Sequence, residues 1–332
     1  MNNKYALFLN TMAFGDTLFG MNSARRFKEH NPDWLVAFTV RENFNLTTND
    51  GRSGMYEAIE VYSKQPWLDG VGYVARYENT EQYRVVLTNE ELAKRNPDLF
   101  VLQNIWWTDF GNNKSNNYHI KDYLPEEALN DGNLVLNVES TKINDDTLRI
   151  GVSGPLDWNR KLQSEKTRIE VLRGLKEILA KRKIKAEINL FGVEVSNNTL
   201  YQSLCHLNTQ DIFIGPIGSL HHAAAALDVD TISIPSIFPT TLDTPRYYST
   251  RGIHLNVEHR TENHCGVKET KCLDTKYYAD KNTFKGQEGP FAHLGFWPRK
   301  CPHTQSGWAC TKSVVAQDVL NTFEGWLNEK YK

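Results

Sequence analysis

The feature that most constrains this chain is a strand-turn-helix rhythm that runs once near the N-terminus and restarts in the second half. Tyr5 to Leu9 is an apolar run too short for a helix, consistent with a buried strand, and it feeds the turn-like stretch Asn10 to Asp16. Leu18, Met21, Ala24 and Phe27 then recur at helical spacing until Asn31 and Pro32 stop the helix, with Asp16 or Thr17 as the expected N-cap. Leu35 to Val40 reads as the next strand, so the first forty or so residues form a β-α-β unit, the building block of parallel sheets.

The rhythm returns at Leu148 to Val152, a strand, with a turn at Ser153 to Pro155. A long helix is capped near Ser164 and carries the stripe Ile169, Leu172, Leu175 and Ile178/Leu179. Strands follow at Ala186 to Phe191, Asp211 to Gly215 and Thr231 to Ile234, separated by a short helix around Leu200 and Leu204 and an Ala-rich helix from Ser219 to Leu227. Strands that alternate with helices mean a doubly wound α/β arrangement. A final amphipathic helix carries Val315, Val319, Phe323 and Trp326/Leu327. Residues 41–133 are rich in Asn and aromatics and yield only two further strands, at Val85 to Leu87 and Phe100 to Leu102.

The chain has 332 residues, and at roughly 100–200 residues per domain this suggests two domains, joined through the polar stretch 131–147. With 38 basic against 40 acidic side chains the net charge is −2, which excludes a strongly basic nucleic-acid coat and leaves only a local groove possible. The segment Met1 to Asn10 lacks the order of a signal peptide, and no apolar run reaches the about 18 residues of a membrane helix, so a cytoplasmic protein without a transmembrane segment is expected.

Two strand-turn-helix junctions carry the chemistry. One holds Gly15 and Asp16; the other runs from Ile214 to His222 and includes Gly215, Gly218, Ser219, Leu220 and His221. At such junctions helix N-termini offer unpaired N–H groups and partial positive charge to anions, although the same residues serve as ordinary turn glycines and caps. Neither junction fits the dinucleotide or P-loop signature.

In their order along the chain, the stretch Phe14 to Pro32, the stretch Phe213 to Ile234 and the weaker Arg149 to Pro155 resemble glycosyltransferase family 9, the heptosyltransferase-like enzymes. The resemblance implies an α/β GT-B fold: two Rossmann-like doubly wound domains facing a central cleft, with a Cys-containing irregular insertion near the C-terminus. It implies residues 1–140 as the acceptor domain, 141–312 as the nucleotide-sugar donor domain including the Cys-rich region 259–312, and 313–332 as a helix that packs back on the first domain. The implied activity is inverting transfer of a sugar from a nucleotide-diphosphate sugar to an acceptor hydroxyl. Asp16 is then the general base, and Gly15, Gly218, Ser219, Leu220, His221 and His222 contact the donor. Arg160, Lys161 and Lys166 are candidates for its ionic part, or solvated surface charges; Trp158 stacks on the donor or packs between domains. One departure is visible: alignment of His222 with the family's His puts Ile217 where an acidic residue usually contacts the donor sugar. The acceptor, whether glycan, protein or modified DNA base, has no motif here, and the oligomeric state is not encoded in any pattern.

Of five cysteines, Cys205 stands alone on an apolar helical stretch and reads as a core thiol. The other four, Cys265-x6-Cys272-x28-Cys301-x8-Cys310, provide enough thiolates for a structural Zn or Fe, with disulfides or unlinked thiols as the alternatives. Transfer itself needs no metal in this reading. A second class of function also fits: a binding or assembly module that keeps the fold without activity, favoured by Ile217 and opposed by Gly15-Asp16. A transferase acting on modified DNA bases is the third, and predicts salt-dependent duplex binding through stretches such as Arg25-Arg26 and Arg299-Lys300.

Overall fold

A computed structural model describes residues 3–10, 14–41, 56–76, 83–103, 136–140, 145–155, 165–192, 198–235, 251–258 and 314–331. The first part comprises β1 (Tyr5–Asn10), α1 (Phe14–His30), β2 (Leu35–Arg41), α2 (Tyr56–Ser63), β3 (Gly70–Arg76), β4 (Tyr83–Leu87), α3 (Glu90–Ala93) and β5 (Leu99–Gln103). The second comprises β6 (Leu148–Ser153), α4 (Glu165–Arg182), β7 (Ala186–Phe191), α5 (Leu200–Leu207), β8 (Ile212–Pro216), α6 (Ser219–Ala226), β9 (Asp230–Ile234), β10 (His254–Asn256) and α7 (Ala316–Lys330). They form two five-stranded sheets, ordered β4-β3-β2-β1-β5 and β10-β9-β8-β6-β7. Every pair is parallel except the β3–β4 hairpin. The fold is thus mixed α/β with parallel sheets, as the sequence rhythm requires.

Strand alternation explains the layers. In β1, Ala6 and Phe8 face α1 and α2, whereas Tyr5, Leu7 and Leu9 join a separate cluster with Ala37, Val74 and Leu92 on the other face. A strand covered on both faces is largely apolar, and all six residues of β1 are buried, with Asn10 at its end the polar exception. In β6, Leu148, Ile150 and Val152 face α4 and α7, leaving the opposite face of the second sheet to α5 and α6. Those two helices pack on α2 and α1, so one apolar cluster runs from Phe8 and Phe38 through the helices to Phe191 and Phe213. Polar ties reinforce this contact: the Leu200 N–H donates to Glu57 Oε2 at 2.8 Å, and the Leu136 N–H to the Ala226 carbonyl at 2.8 Å.

Three expectations are corrected. Among the described residues the final helix packs on α4 and β9 of the second sheet, where the first part of the chain is expected. Trp326 Nε1 donates to the buried Asp230 Oδ2 at 2.9 Å, and Arg182 Nη1 to Asn328 Oδ1 at 2.8 Å. Ile169 is not in the core stripe of α4 but 45% exposed; the buried seam runs through Val171, Gly174, Leu175 and Leu179. Gly174 sets that seam, because Leu320 of α7 lies where its Cβ would be. Third, α1 begins at Phe14, so Asp16 and Thr17 lie in its first turn instead of capping it; the Thr17 hydroxyl donates back to the Phe14 carbonyl at 2.7 Å.

Candidate functional site

The two junctions singled out in the sequence meet. Gly15, buried in the first turn of α1, sits against the first turn of α6. A Cβ on Gly15 would lie 3.2 Å from His222 Cδ2, 3.4 Å from Ser219 Oγ and 3.5 Å from Ser219 Cα. The packing of α1 on α6 therefore brings together residues more than two hundred positions apart in sequence. Both chain segments arrive from the carboxyl ends of central strands, β1 and β8, which is where open parallel sheets bind ligands.

The electrostatics follow from the backbone. The first N–H groups of a helix have no intrahelical acceptor, and the aligned peptide dipoles leave about half a positive charge there. Here the N-terminal turns of α1 and α6 lie side by side, so their partial charges add. Gly218 caps α6 with an extended backbone (φ −178°) and no side-chain cap, and the helix begins when the His222 N–H reaches the Gly218 carbonyl at 3.1 Å. Among the described residues no side-chain cap bonds the first amides of α6. An anion is the natural complement of this arrangement.

The other expected residues divide. Ser219 is exposed, Leu220 and Gly218 half-buried, and His222 buried beside Gly15. His221 turns the other way: fully buried, its ring packs edge-on against Phe213 with centroids 5.2 Å apart. Burial holds its imidazole well below the ordinary histidine range, aided by repulsion from His222 and His254, so it is neutral. Gly215 is buried in β8, where a Cβ would overlap the Ser153 side chain, and Ile217 is buried in the core with its N–H bonded to the Ile234 carbonyl. Lys166 is a surface residue paired with Glu170 at 3.7 Å. Arg160, Lys161 and Trp158, and the four cysteines Cys265, Cys272, Cys301 and Cys310, lie outside the described residues. Among the described residues no group of three or more His, Cys, Asp or Glu could hold a metal ion. Cys205 is a free, half-buried thiol whose pKa is raised chiefly by burial.

Sequence reasoning missed the support behind the first turn of α1. Tyr62 of α2, 1% exposed, hydrogen-bonds Thr17 and stacks on Phe14 with centroids 6.2 Å apart. Tyr62 falls in the stretch that sequence periodicity leaves unread, and only the fold brings it to α1.

No family model matches the sequence, and no curated protein matches it. Solved structures do match. The bacterial iron-containing dodecameric glycosyltransferase TibC from enterotoxigenic E. coli superposes with a TM-score of 0.57 over 100% of this chain and 78% of its own, at 11% identity. TibC in complex with ADP-D-β-D-heptose gives 0.58 over 99% of this chain and 77% of its own, at 10% identity. E. coli ADP-heptose LPS heptosyltransferase II gives 0.54 over 99% of this chain and 100% of its own, at 9% identity. The chain has the heptosyltransferase fold, in line with the resemblance drawn from Phe14 to Pro32 and Phe213 to Ile234. Among the described residues no helix is long and apolar enough to cross a membrane.

Proposed function

We propose that this chain is an inverting glycosyltransferase that moves a sugar from a nucleotide-diphosphate sugar to an acceptor hydroxyl. The observation that carries the reading is the meeting of the α1 and α6 N-terminal turns at Gly15, Ser219 and His222, in a fold shared with nucleotide-sugar enzymes. In this reading Asp16 takes the proton of the acceptor hydroxyl, whose oxygen attacks the anomeric carbon from the face opposite the diphosphate. As the glycosidic C–O bond breaks, negative charge grows on the departing diphosphate, and the amides of Ser219 and Leu220 with His222 stabilise it. Because fixed backbone dipoles do this work, no catalytic metal is required. His221, packed into the core, supports α6 from beneath.

The acceptor is assigned to residues 1–140 and the donor to 141–312, in the cytoplasm. ADP-heptose, the donor bound to TibC, is the first to test; the buried Ile217 removes one acidic sugar contact, so other nucleotide sugars belong in the same panel. The four thiols Cys265, Cys272, Cys301 and Cys310 are a donor set suited to tetrahedral Zn or Fe, in a structural role away from the transfer step. The test is a panel of ADP-, UDP- and GDP-sugars followed for release of the nucleotide. Turnover by the wild type, lost in Asp16→Asn at an unchanged melting temperature, supports the reading; full activity of Asp16→Asn removes Asp16 from it. Ile217 gives one specific ground for a second reading, an inactive binding module, which predicts nucleotide binding without turnover. A DNA-modifying variant of the enzyme predicts duplex binding that weakens steeply with salt.

A further inference from the structure

We propose that Tyr62 is a positioning residue for this site, acting through Thr17 on the turn of α1 that carries Asp16; the proposal rests on the transferase reading above. The Thr17 hydroxyl, fully buried, donates its one proton to the Phe14 carbonyl at 2.7 Å. Its oxygen is then an acceptor, and the donor is the Tyr62 hydroxyl. Burial pushes the Tyr62 phenol far above its ordinary range, so that donor keeps its proton. The Tyr62 ring also stacks on Phe14 at 6.2 Å and 18°, and meets Phe38 of β2 edge-on at 5.4 Å and 82°. One side chain thus grips both ends of the segment Phe14 to Thr17, between which lie Gly15 and Asp16. On its other side the same segment abuts Ser219 and His222 of α6. The turn is clamped between α2 and α6, and α2 is itself tied to the second part of the chain by Glu57, which accepts the Leu200 N–H at 2.8 Å.

Two groups define the consequence. Removal of the Tyr62 hydroxyl leaves the ring stack and the Thr17 to Phe14 bond in place, so the fold persists, but the backbone around Asp16 loses its tether. A base displaced by a fraction of an ångström loses rate at saturating substrate, whereas donor affinity, set by the α6 amides, is spared.

The experiment measures kcat and donor KM for Tyr62→Phe, Thr17→Val, Thr17→Ser and Asp16→Asn, using the nucleotide sugar of the panel that the wild type turns over fastest. The expected result is a kcat lowered about tenfold in Tyr62→Phe and Thr17→Val with donor KM within about twofold, and recovery in Thr17→Ser, which keeps the hydroxyl. If Asp16→Asn is inactive while Tyr62→Phe keeps wild-type kcat, or loses kcat and affinity together with a lowered melting temperature, the positioning role is overturned and the transferase reading stands. If no nucleotide sugar is turned over, or Asp16→Asn is fully active, the underlying reading fails and this proposal fails with it.

Discussion

Substitution of Gly15 by Ala probes the meeting of α1 and α6 with a single methyl group, and the magnitudes can be worked in advance. Within a helix Ala is favoured over Gly by about 1 kcal/mol, because the unfolded chain loses less freedom. Against that gain, the new Cβ would stand 3.2 Å from His222 Cδ2, tighter than most carbon neighbours approach, and in ordinary contact with Ser219 Oγ at 3.4 Å. The two turns must part by a few tenths of an ångström, and extra methyl groups in packed contacts cost about 1–3 kcal/mol. The terms nearly cancel, so net stability should move by no more than about 2 kcal/mol, towards destabilisation. Gly325→Ala is the control, since nothing lies within 4 Å of its added Cβ in α7, and it should stabilise by the full propensity gain of about 1 kcal/mol. Binding should respond more. Charge-assisted hydrogen bonds are worth about 1.5–3 kcal/mol each, so misalignment of one is worth about tenfold in Kd for ADP. Urea unfolding and calorimetric titration of ADP read the two effects separately. An ADP Kd within twofold of wild type in Gly15→Ala would refute the assignment of this contact to the ligand site.

Three further outcomes are expected. Asp230→Ala should lower unfolding free energy by about 2–5 kcal/mol, because it strands the Trp326 indole N–H and the Ile253 N–H, now 2.9 and 2.7 Å from the carboxylate; a loss below 1 kcal/mol would show that this carboxylate does not anchor α7. Burial lowers the pKa of His221 and His254 from 6.5, so below that pH the unfolded chain binds protons that the native protein refuses. Stability should therefore be full above pH 6.5 and fall as pH drops, by up to about 1.4 kcal/mol per unit for each histidine; His221→Leu should flatten the slope between pH 5 and 6.5, and an unchanged slope would clear His221. Elemental analysis should find one Zn or Fe per chain, released by Cys265→Ser or a chelator with a lower melting temperature, whereas metal-free protein with four titratable thiols in this cluster would end that proposal.

Legibility followed the physics of each element. A strand buried on both faces, such as β1 from Tyr5 to Leu9, is a continuous apolar run, and a run of that kind needs no partner to be recognised. The segment of β3 escaped notice because Gly70 and Gly72 dilute it, yet Gly72 is required there, since a Cβ would overlap the Val86 carbonyl of the neighbouring strand. In α4 the expected Leu175 and Leu179 are buried and Ile169 is not, while Gly174, whose groove Leu320 occupies, carries no hydrophobic signal in the sequence. Gly15, Ser219 and His222 stand out in the sequence because they fall at strand-turn-helix junctions, and the packing of α1 on α6 brings them together. The site was illegible at Tyr62, whose role depends on a contact with Thr17 that only tertiary packing creates. The direction taken by the last helix is set by Asp230 and Gly174, partners far from it in the chain, so its own amphipathic stripe carries no address.

The central claim is that the joined N-termini of α1 and α6 hold the diphosphate of a sugar nucleotide. A crystal structure of the chain with ADP tests it most directly. The account predicts diphosphate oxygens within about 3 Å of the Ser219 and Leu220 amides, beside Gly15 and His222. ADP bound elsewhere, or no binding at millimolar concentration, would contradict it.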